Sequence, residues 1–447
     1  MVKIKEVEIN FTPLEVYNLF KDEIDTIFLD SSKEDKILSK FSFIGLKPFM
    51  TFEANRNISL IDGREVGGNP FEVLEKLIYK YKIEEKFYKD IPLICGAMGY
   101  ISYDISRILE DLPDSSDEDF KISDMRFIFY NNIIIFDLHK NKQYITSLNG
   151  NQEEINLILN KIKKTNKIEE KIVENKNNRF ISNFDKSEYK LAISKLKDYI
   201  KSGDVYIANM TQRFYTETHE DSFEIYKKLR SINKAPFSAY MNFRDFQVIS
   251  SSPERFLEIN NKKVITRPIK GTRPRGSTKE EDKKNSLELL NSEKDKAELL
   301  MVVDLERNDL SKVCKPHSVK VTELFKLETY STVFHLVSTV EGELKDDVSS
   351  IKCIKECFPG GSITGTPKIR AMEIIEELEG LKRNIYTGSI GYFDFRGNAD
   401  FNIAIRTIIK KSNKAYFGVG GGITYDSNEE DEYNETLDKA KALMRVL

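Results

Sequence analysis

Thr266-Arg267-Pro268-Ile269-Lys270-Gly271-Thr272-Arg273, preceded by Ser252-Pro253-Glu254, is the stretch around which the rest of the chain is read. Between the two, Arg255-Phe256-Leu257-Glu258-Ile259 and Lys263-Val264-Ile265-Thr266 predict a pair of strands joined by a turn at Asn260-Asn261. Such a hairpin lets Glu254 and Lys270 meet, one carboxyl and one amine facing a common space. That is the pairing a nucleophilic amine with an acid-assisted leaving group needs. Most lysines are solvated surface cations. Lys270, however, stands between Pro268-Ile269, where proline fixes the backbone, and Gly271-Thr272, where glycine lets a ligand or a second backbone approach.

A chain of 447 residues can bury a large core, as two or three average domains or as one mixed α/β unit. With 40% hydrophobic residues, 32% charged residues and a net charge of -3, it offers no basic field for nucleic acid, so a small anionic substrate must be met by local sites. Met1-Val2-Lys3-Ile4-Lys5-Glu6 has no apolar leader, and no run of about 18 apolar residues occurs. A cytoplasmic protein without a membrane segment is expected. Cys95, Cys314, Cys353 and Cys357 fit a reducing compartment; Cys353 and Cys357 share a helix face, but no second Cys or His pair completes a zinc spacing, so core thiols are expected.

Along the chain, residues 26–32, 41–45 and 133–137 predict strands rich in Ile and Phe, and 70–81 has helical spacing. Residues 149–178 are Lys/Asn/Glu-rich and predict a linker, in which Ile155, Leu157, Ile158 and Ile162 form one helix-like face. Residues 187–200 predict an amphipathic helix stopped by Gly203, followed by a strand over 204–214. Two later helices carry acidic faces. Over 283–310 the apolar positions are Leu287, Leu290, Ala297, Leu300 and Met301, with Asp295 and Glu298 together on one face. Over 431–447 Tyr433, Leu437, Ala440, Met444 and Leu447 form the expected buried stripe, while Glu432, Glu435 and Lys439 recur on another. Read alone, each acidic face is solvated.

Taken together, Ser252-Pro253-Glu254 and Pro268-Ile269-Lys270-Gly271-Thr272-Arg273 resemble the chorismate-utilising enzymes of the anthranilate synthase component I family. Pro359-Gly360-Gly361-Ser362-Ile363-Thr364-Gly365-Thr366-Pro367-Lys368, Tyr386-Thr387-Gly388, Asn402-Ile403-Ala404-Ile405-Arg406-Thr407 and Asp304-Leu305-Glu306-Arg307-Asn308-Asp309 extend the resemblance, which is densest from Ser182 to Leu447. It implies an α+β chorismate-utilising enzyme fold, two large antiparallel β-sheets packed as a sandwich with surrounding helices. Composition and pattern alone support only a mixed α/β chain with many strands. It also divides the chain into an amino-terminal region 1–150, a linker 151–181 and a chorismate-binding catalytic region 182–447.

In that family the residue before Gly-Thr sorts the chemistry: alanine is usual in anthranilate synthases, and lysine marks component I of aminodeoxychorismate synthase. Lys270 therefore implies conversion of chorismate and ammonia to 4-amino-4-deoxychorismate, for 4-aminobenzoate and folate biosynthesis, with Lys270 as covalent nucleophile and Glu254 as general acid. The alternatives are an anthranilate synthase component I and a non-catalytic chorismate-binding subunit. The resemblance further implies Mg²⁺ held by Glu298, Glu432 and Glu435 with Asp295 farther out, an oxygen-only set suited to that ion. It implies substrate contacts at Gly271, Thr272, Ser362, Tyr386, Arg406, Gly420, Gly421 and Lys439. His335 lies in an apolar run and reads as a core histidine from its neighbours, and as a catalytic residue of open role from the resemblance. The Asp304 to Asp309 segment is expected to hold a helix–strand junction.

Ammonia is expected from a separate class I glutaminase subunit in a heterodimer, since none of the cysteines here has a nucleophile's setting. Leu29-Asp30-Ser31-Ser32 and Phe41-Ser42-Phe43-Ile44-Gly45 resemble the amino-terminal region of the family, where the first of them lines a tryptophan pocket, and otherwise read as plain core strands. One departure stands out. Relatives read Tyr-Gln-x-Asn where this chain reads Tyr206-Ile207-Ala208-Asn209, and water-activating relatives carry a lysine at the Gln position; Ile207 can neither ionise nor take a proton.

Overall fold

The computed structural model describes residues 2–32, 38–84, 88–164, 167, 178–329 and 333–447. Among them twenty-two strands join edge to edge in one network of antiparallel ladders, with ten α-helices packed outside. The two expected sheets are arms of this network, because Phe41–Asn55 and Met125–Asp137 run paired through both. Their ladder shifts register between Pro48 and Met50, beside Lys47 at φ +54°, and the chain bends there.

Side-chain alternation then builds three apolar layers. Before the bend Ile44 and Leu46 face Val16, Ile155, Phe223 and Ala440 of one helical layer; beyond it Met50, Phe52 and Ala54 face Leu74, Leu299 and Ile354 of the other. Phe43, Met98, Tyr130, Met241 and Tyr392 fill the space between the sheets, a cluster with no helical residue. The regions 1–150 and 182–447 share these ladders: Thr26–Asp30 pairs with Phe237–Asn242, and Gly96–Ile101 with Ser389–Asp394.

Several elements differ from expectation. The signature hairpin turns at Asn261-Lys262, one residue later than expected, and both residues take the positive φ that a two-residue hairpin loop demands. The strand expected over 204–214 runs Ile207–Glu217. Gln152–Ile162 is a docked helix rather than the start of a linker, because Ile155, Ile158 and Ile162 are buried against the first helical layer; residues 165–166 and 168–177 of that linker lie outside the described residues. The helix Lys186–Ser202 matches its expected bounds closely, opened by an Asp185/Glu188 capping box and closed by Gly203 at φ +85°.

The largest differences are in the acidic helices. The pattern over 283–310 is two helices, Lys279–Asn291 and Glu293–Val313, broken at Ser292, and Leu287 and Leu300 are exposed. Glu298, Glu306 and Asp309 are buried instead. The closing helix, Glu429–Val446, buries Glu432, Thr436, Ala440, Leu443 and Val446, one register away from the expected stripe. Both helices turn carboxylates inward because cations and hydroxyls wait for them, as the site makes plain. All four cysteines are buried and free. Among the described residues no helix is long and apolar enough to cross a membrane.

Candidate active site

Lys270 lies on the strand Ile269–Pro274, which pairs with Val333–Glu343; the ladder shifts between Lys270 and Thr272, where Gly271 takes φ +71°. A methyl group at Gly271 would also lie 2.9 Å from Asp295 Cβ, so this bulge needs glycine on two counts. The bulge aims the half-buried Lys270 side chain inward, and its Nζ donates to the Ser362 carbonyl at 3.2 Å. A methyl at Gly422 would lie 3.1 Å from both Lys270 Nζ and Ile207 Cδ1, so the glycine run of the strand Lys414–Ile423 is the floor on which the amine rests. Ile207 forms an apolar wall at its side.

Glu254 is 5% exposed. Burial raises its carboxyl above the ordinary range, while the Ser362 hydroxyl, the Lys270 amine, the Ile269 N–H and Lys439 act the other way. The Lys270 amine acts on this carboxyl from the strand beyond the hairpin, whose ladder ends at Arg255 and Arg267.

The acidic helices close over this pair. Burial raises the Glu298 carboxyl, with Asp295 and Glu432 adding to the rise and Lys270 and Lys294 opposing it. Burial likewise raises Glu432, whose Oε1 accepts from Ser427 Oγ at 2.6 Å. Glu435 is half-exposed, and Lys439, with Lys270 and Lys294, outweighs its partial desolvation and holds its carboxyl below the ordinary range. Lys439 bonds Glu435 at 2.6 Å and donates to the Gly420 carbonyl at 2.8 Å, and a methyl at Gly421 would lie 3.3 Å from Glu432 Oε2 and from Glu435 Oε1. Among the described residues no three acidic side chains close on a single point. Two of them already flank a cation: Lys294 Nζ stands 3.9 Å from Glu298 Oε1 and 3.7 Å from Glu432 Oε1. The place attracts positive charge and offers carboxylate oxygens, the donor type that Mg²⁺ takes. Asp295 is tied to Arg273 at 3.1 Å.

The other expected residues divide. Thr272 Oγ1 meets His335 Nδ1 at 2.9 Å, so the buried His335 faces the signature strand. Tyr386 is buried with its ring against Gly418, and burial raises its hydroxyl above the phenol range. Arg406, at φ +50°, donates to Asn233 Oδ1 at 2.6 Å. Lys294 and Arg383 had escaped the sequence reading. The i, i+4 spacing of Lys294 to Glu298 was the available signal; Arg383 had none. Its guanidinium bonds Glu379 at 2.8 and 2.6 Å, the Asn209 carbonyl at 2.6 Å and the Ile363 carbonyl at 2.9 Å, tying the strand, the loop and the helix that frame the site. Arg383→Met should therefore cost roughly 3–5 kcal/mol by stranding buried Glu379, read by urea denaturation; a loss within 0.5 kcal/mol, about what an ordinary surface substitution costs, would contradict this account of the frame.

The chorismate binding enzyme family model matches residues 25–445. The chain belongs to this family. Anthranilate synthase component 1 of Acetivibrio thermocellus is 37% identical over 98% of this chain and 92% of its own length, and aminodeoxychorismate synthase component 1 of Escherichia coli K12 is 36% identical over 94% and 93%. The crystal structure of anthranilate synthase component I from Streptococcus pneumoniae TIGR4 superposes with a TM-score of 0.82 at 31% identity, covering 92% of this chain and 93% of that one. As a member of the chorismate-binding family, the chain carries the family's sandwich and helices.

This family member has a further cavity of about 160 Å³ between its amino-terminal strands and the strand Phe237–Asn242. Asp30 and Ser31 line it from one side and Pro236 and Phe237 from the other. Asp30 is held by Tyr226 Oη at 2.9 Å and Arg230 at 2.6 Å. The amino-terminal stretches are core strands on one face, through Phe28 and Ile44, and a cavity wall on the other.

Proposed function

We propose that this chorismate-binding enzyme is component I of an aminodeoxychorismate synthase, converting chorismate and ammonia to 4-amino-4-deoxychorismate and water. The observation that carries the reading is the Lys270 amine, half-buried on the glycine floor beside Glu254 and beneath the acidic helices. The identities to anthranilate and aminodeoxychorismate synthases are nearly equal, so overall similarity does not choose between them. The lysine at 270 supports the aminodeoxychorismate synthase reading.

In this reading the Lys270 amine adds at C2 of chorismate while Glu254 gives its proton to the C4 hydroxyl, which leaves as water. Ammonia then bonds C4, the C2–N bond breaks and Lys270 is restored. Tyr386 and Arg406 would hold the enolpyruvyl carboxylate, Arg406 exchanging its bond to Asn233 for a two-pronged grip. Lys439, Gly420 and Gly421 would face the ring carboxylate, with Gly271, Thr272 and Ser362 along the ring and His335 behind Thr272. Glu298, Glu432 and Glu435 would hold Mg²⁺, backed by Asp295. When bound, the ion offsets their mutual repulsion and attracts the substrate's carboxylate. Chelation with EDTA is accordingly expected to abolish turnover and MgCl₂ to restore it; full activity in the chelator would remove the metal from the account.

Ammonia would come from a class I glutaminase subunit, and the amino-terminal cavity would take tryptophan. Purified protein given chorismate, MgCl₂, an ammonium salt and 4-amino-4-deoxychorismate lyase should yield 4-aminobenzoate. Anthranilate would place the chain in the other branch, and chorismate binding without any product would make it a non-catalytic subunit.

A further inference from the structure

Lys294 stands between the two acidic helices and has no part in the reaction described above. Its Nζ lies 3.9 Å from Glu298 Oε1, one turn further along the helix Glu293–Val313, and 3.7 Å from Glu432 Oε1 on the closing helix Glu429–Val446. The side chains of Glu298 and Glu432 are only 12% and 7% exposed, whereas that of Lys294 is 51% exposed. The neighbouring ammonium groups are held by other partners: Lys439 by Glu435 and the Gly420 carbonyl, and Lys270 by the Ser362 carbonyl. Lys294 therefore supplies the counter-charge that lets two buried carboxylates, one from each helix, face a common space.

We propose that Lys294 is a displaceable placeholder at the metal site: its ammonium bridges Glu298 and Glu432 until Mg²⁺ takes their oxygens, and then swings out to solvent. This rests on the reading of those glutamates as metal ligands. Carboxylate oxygens that face an ammonium at these distances cannot also hold a divalent ion without setting two cations side by side. The way out is open, because the exposed half of the side chain is a flexible four-carbon stem. Ion pairs made by a half-exposed lysine are weak, so the divalent ion displaces it, but the competition lowers the affinity with which that ion is held. Without the ion the same ammonium keeps the two acidic helices together against the repulsion of their carboxylates.

The test measures metal affinity on the full chain, with Mn²⁺ as an oxygen-seeking probe of the same charge, from the loss of its free-ion electron paramagnetic resonance signal, and with MgCl₂ as competitor. Lys294→Met keeps most of the stem and removes the charge, and should bind both ions about tenfold more tightly than the wild type, the scale of two weak ion pairs. Lys296→Met removes the same charge two residues away, where Lys296 pairs with Glu293, and should change affinity by less than about twofold, as a screened surface charge does. In the wild type, lysine acetylation followed by peptide mapping should run several-fold faster at Lys294 once MgCl₂ saturates, and no faster at Lys296. That readout does not depend on the variant folding. Equal affinities for wild type and Lys294→Met, an equal gain in Lys296→Met, or acetylation of Lys294 at one rate with and without bound ion overturns the proposal and leaves the metal reading standing. Ion binding in neither protein removes the metal and the proposal together.

Discussion

Replacing Lys270 by alanine is expected to lower formation of 4-amino-4-deoxychorismate by roughly a thousandfold or more, the usual consequence of removing a covalent nucleophile. The loss should fall on kcat, because the carboxylate-binding groups Arg406 and Lys439 are untouched. The cavity left is small and opens onto a floor of glycines, so the fold should survive. Residual turnover drifting toward anthranilate would fit as well, because ammonia could then attack C2, the carbon that the lysine otherwise occupies. Undiminished 4-amino product would exclude covalent catalysis, and the wall that Ile207 forms beside the amine would then need another purpose.

Glu254→Gln is the second large effect, expected to cost roughly 10²–10⁴ in kcat, as loss of a general acid does. Glutamine keeps the volume but has no carboxyl proton to give. The sign of the pH dependence follows from the environment. Burial raises the Glu254 carboxyl, so its acid form persists to higher pH than in a free glutamate, and the rate should fall as pH rises through that folded pKa. The variant should lose this dependence along with the rate. A Glu254→Gln enzyme as fast as the wild type would leave the C4 hydroxyl without its donor.

Much of this was legible in the chain itself. Strand pairing around the signature follows from β-branched runs and a polar turn, and Gly203, Asp185 and Pro70 mark helix ends by local physics. What pattern reading misplaced was the face of the first acidic helix, where Leu287 and Leu300 are exposed; on the closing helix Ala440 and Leu447 are buried as expected, and Glu432 and Thr436 join them. A stripe of leucines looks like the core side only if charges must face water. Glu298, Glu432 and Glu306 turn inward because Lys294, Ser427 and Thr266, distant in sequence or on the next turn, satisfy them. Local pattern carries no record of those partners. The same holds for the corner at Pro48, where one pair of strands serves both sheets, and for what the helix Gln152–Ile162 docks on, although its isoleucine face shows in the sequence.

The most direct test of the central claim is peptide mapping of enzyme quenched in acid during turnover of chorismate, MgCl₂ and limiting ammonium. The account predicts a mass increase of chorismate less one water on the peptide that carries Lys270. Recovery of that peptide wholly unmodified while 4-amino-4-deoxychorismate accumulates, or the same adduct on a different residue, would contradict it.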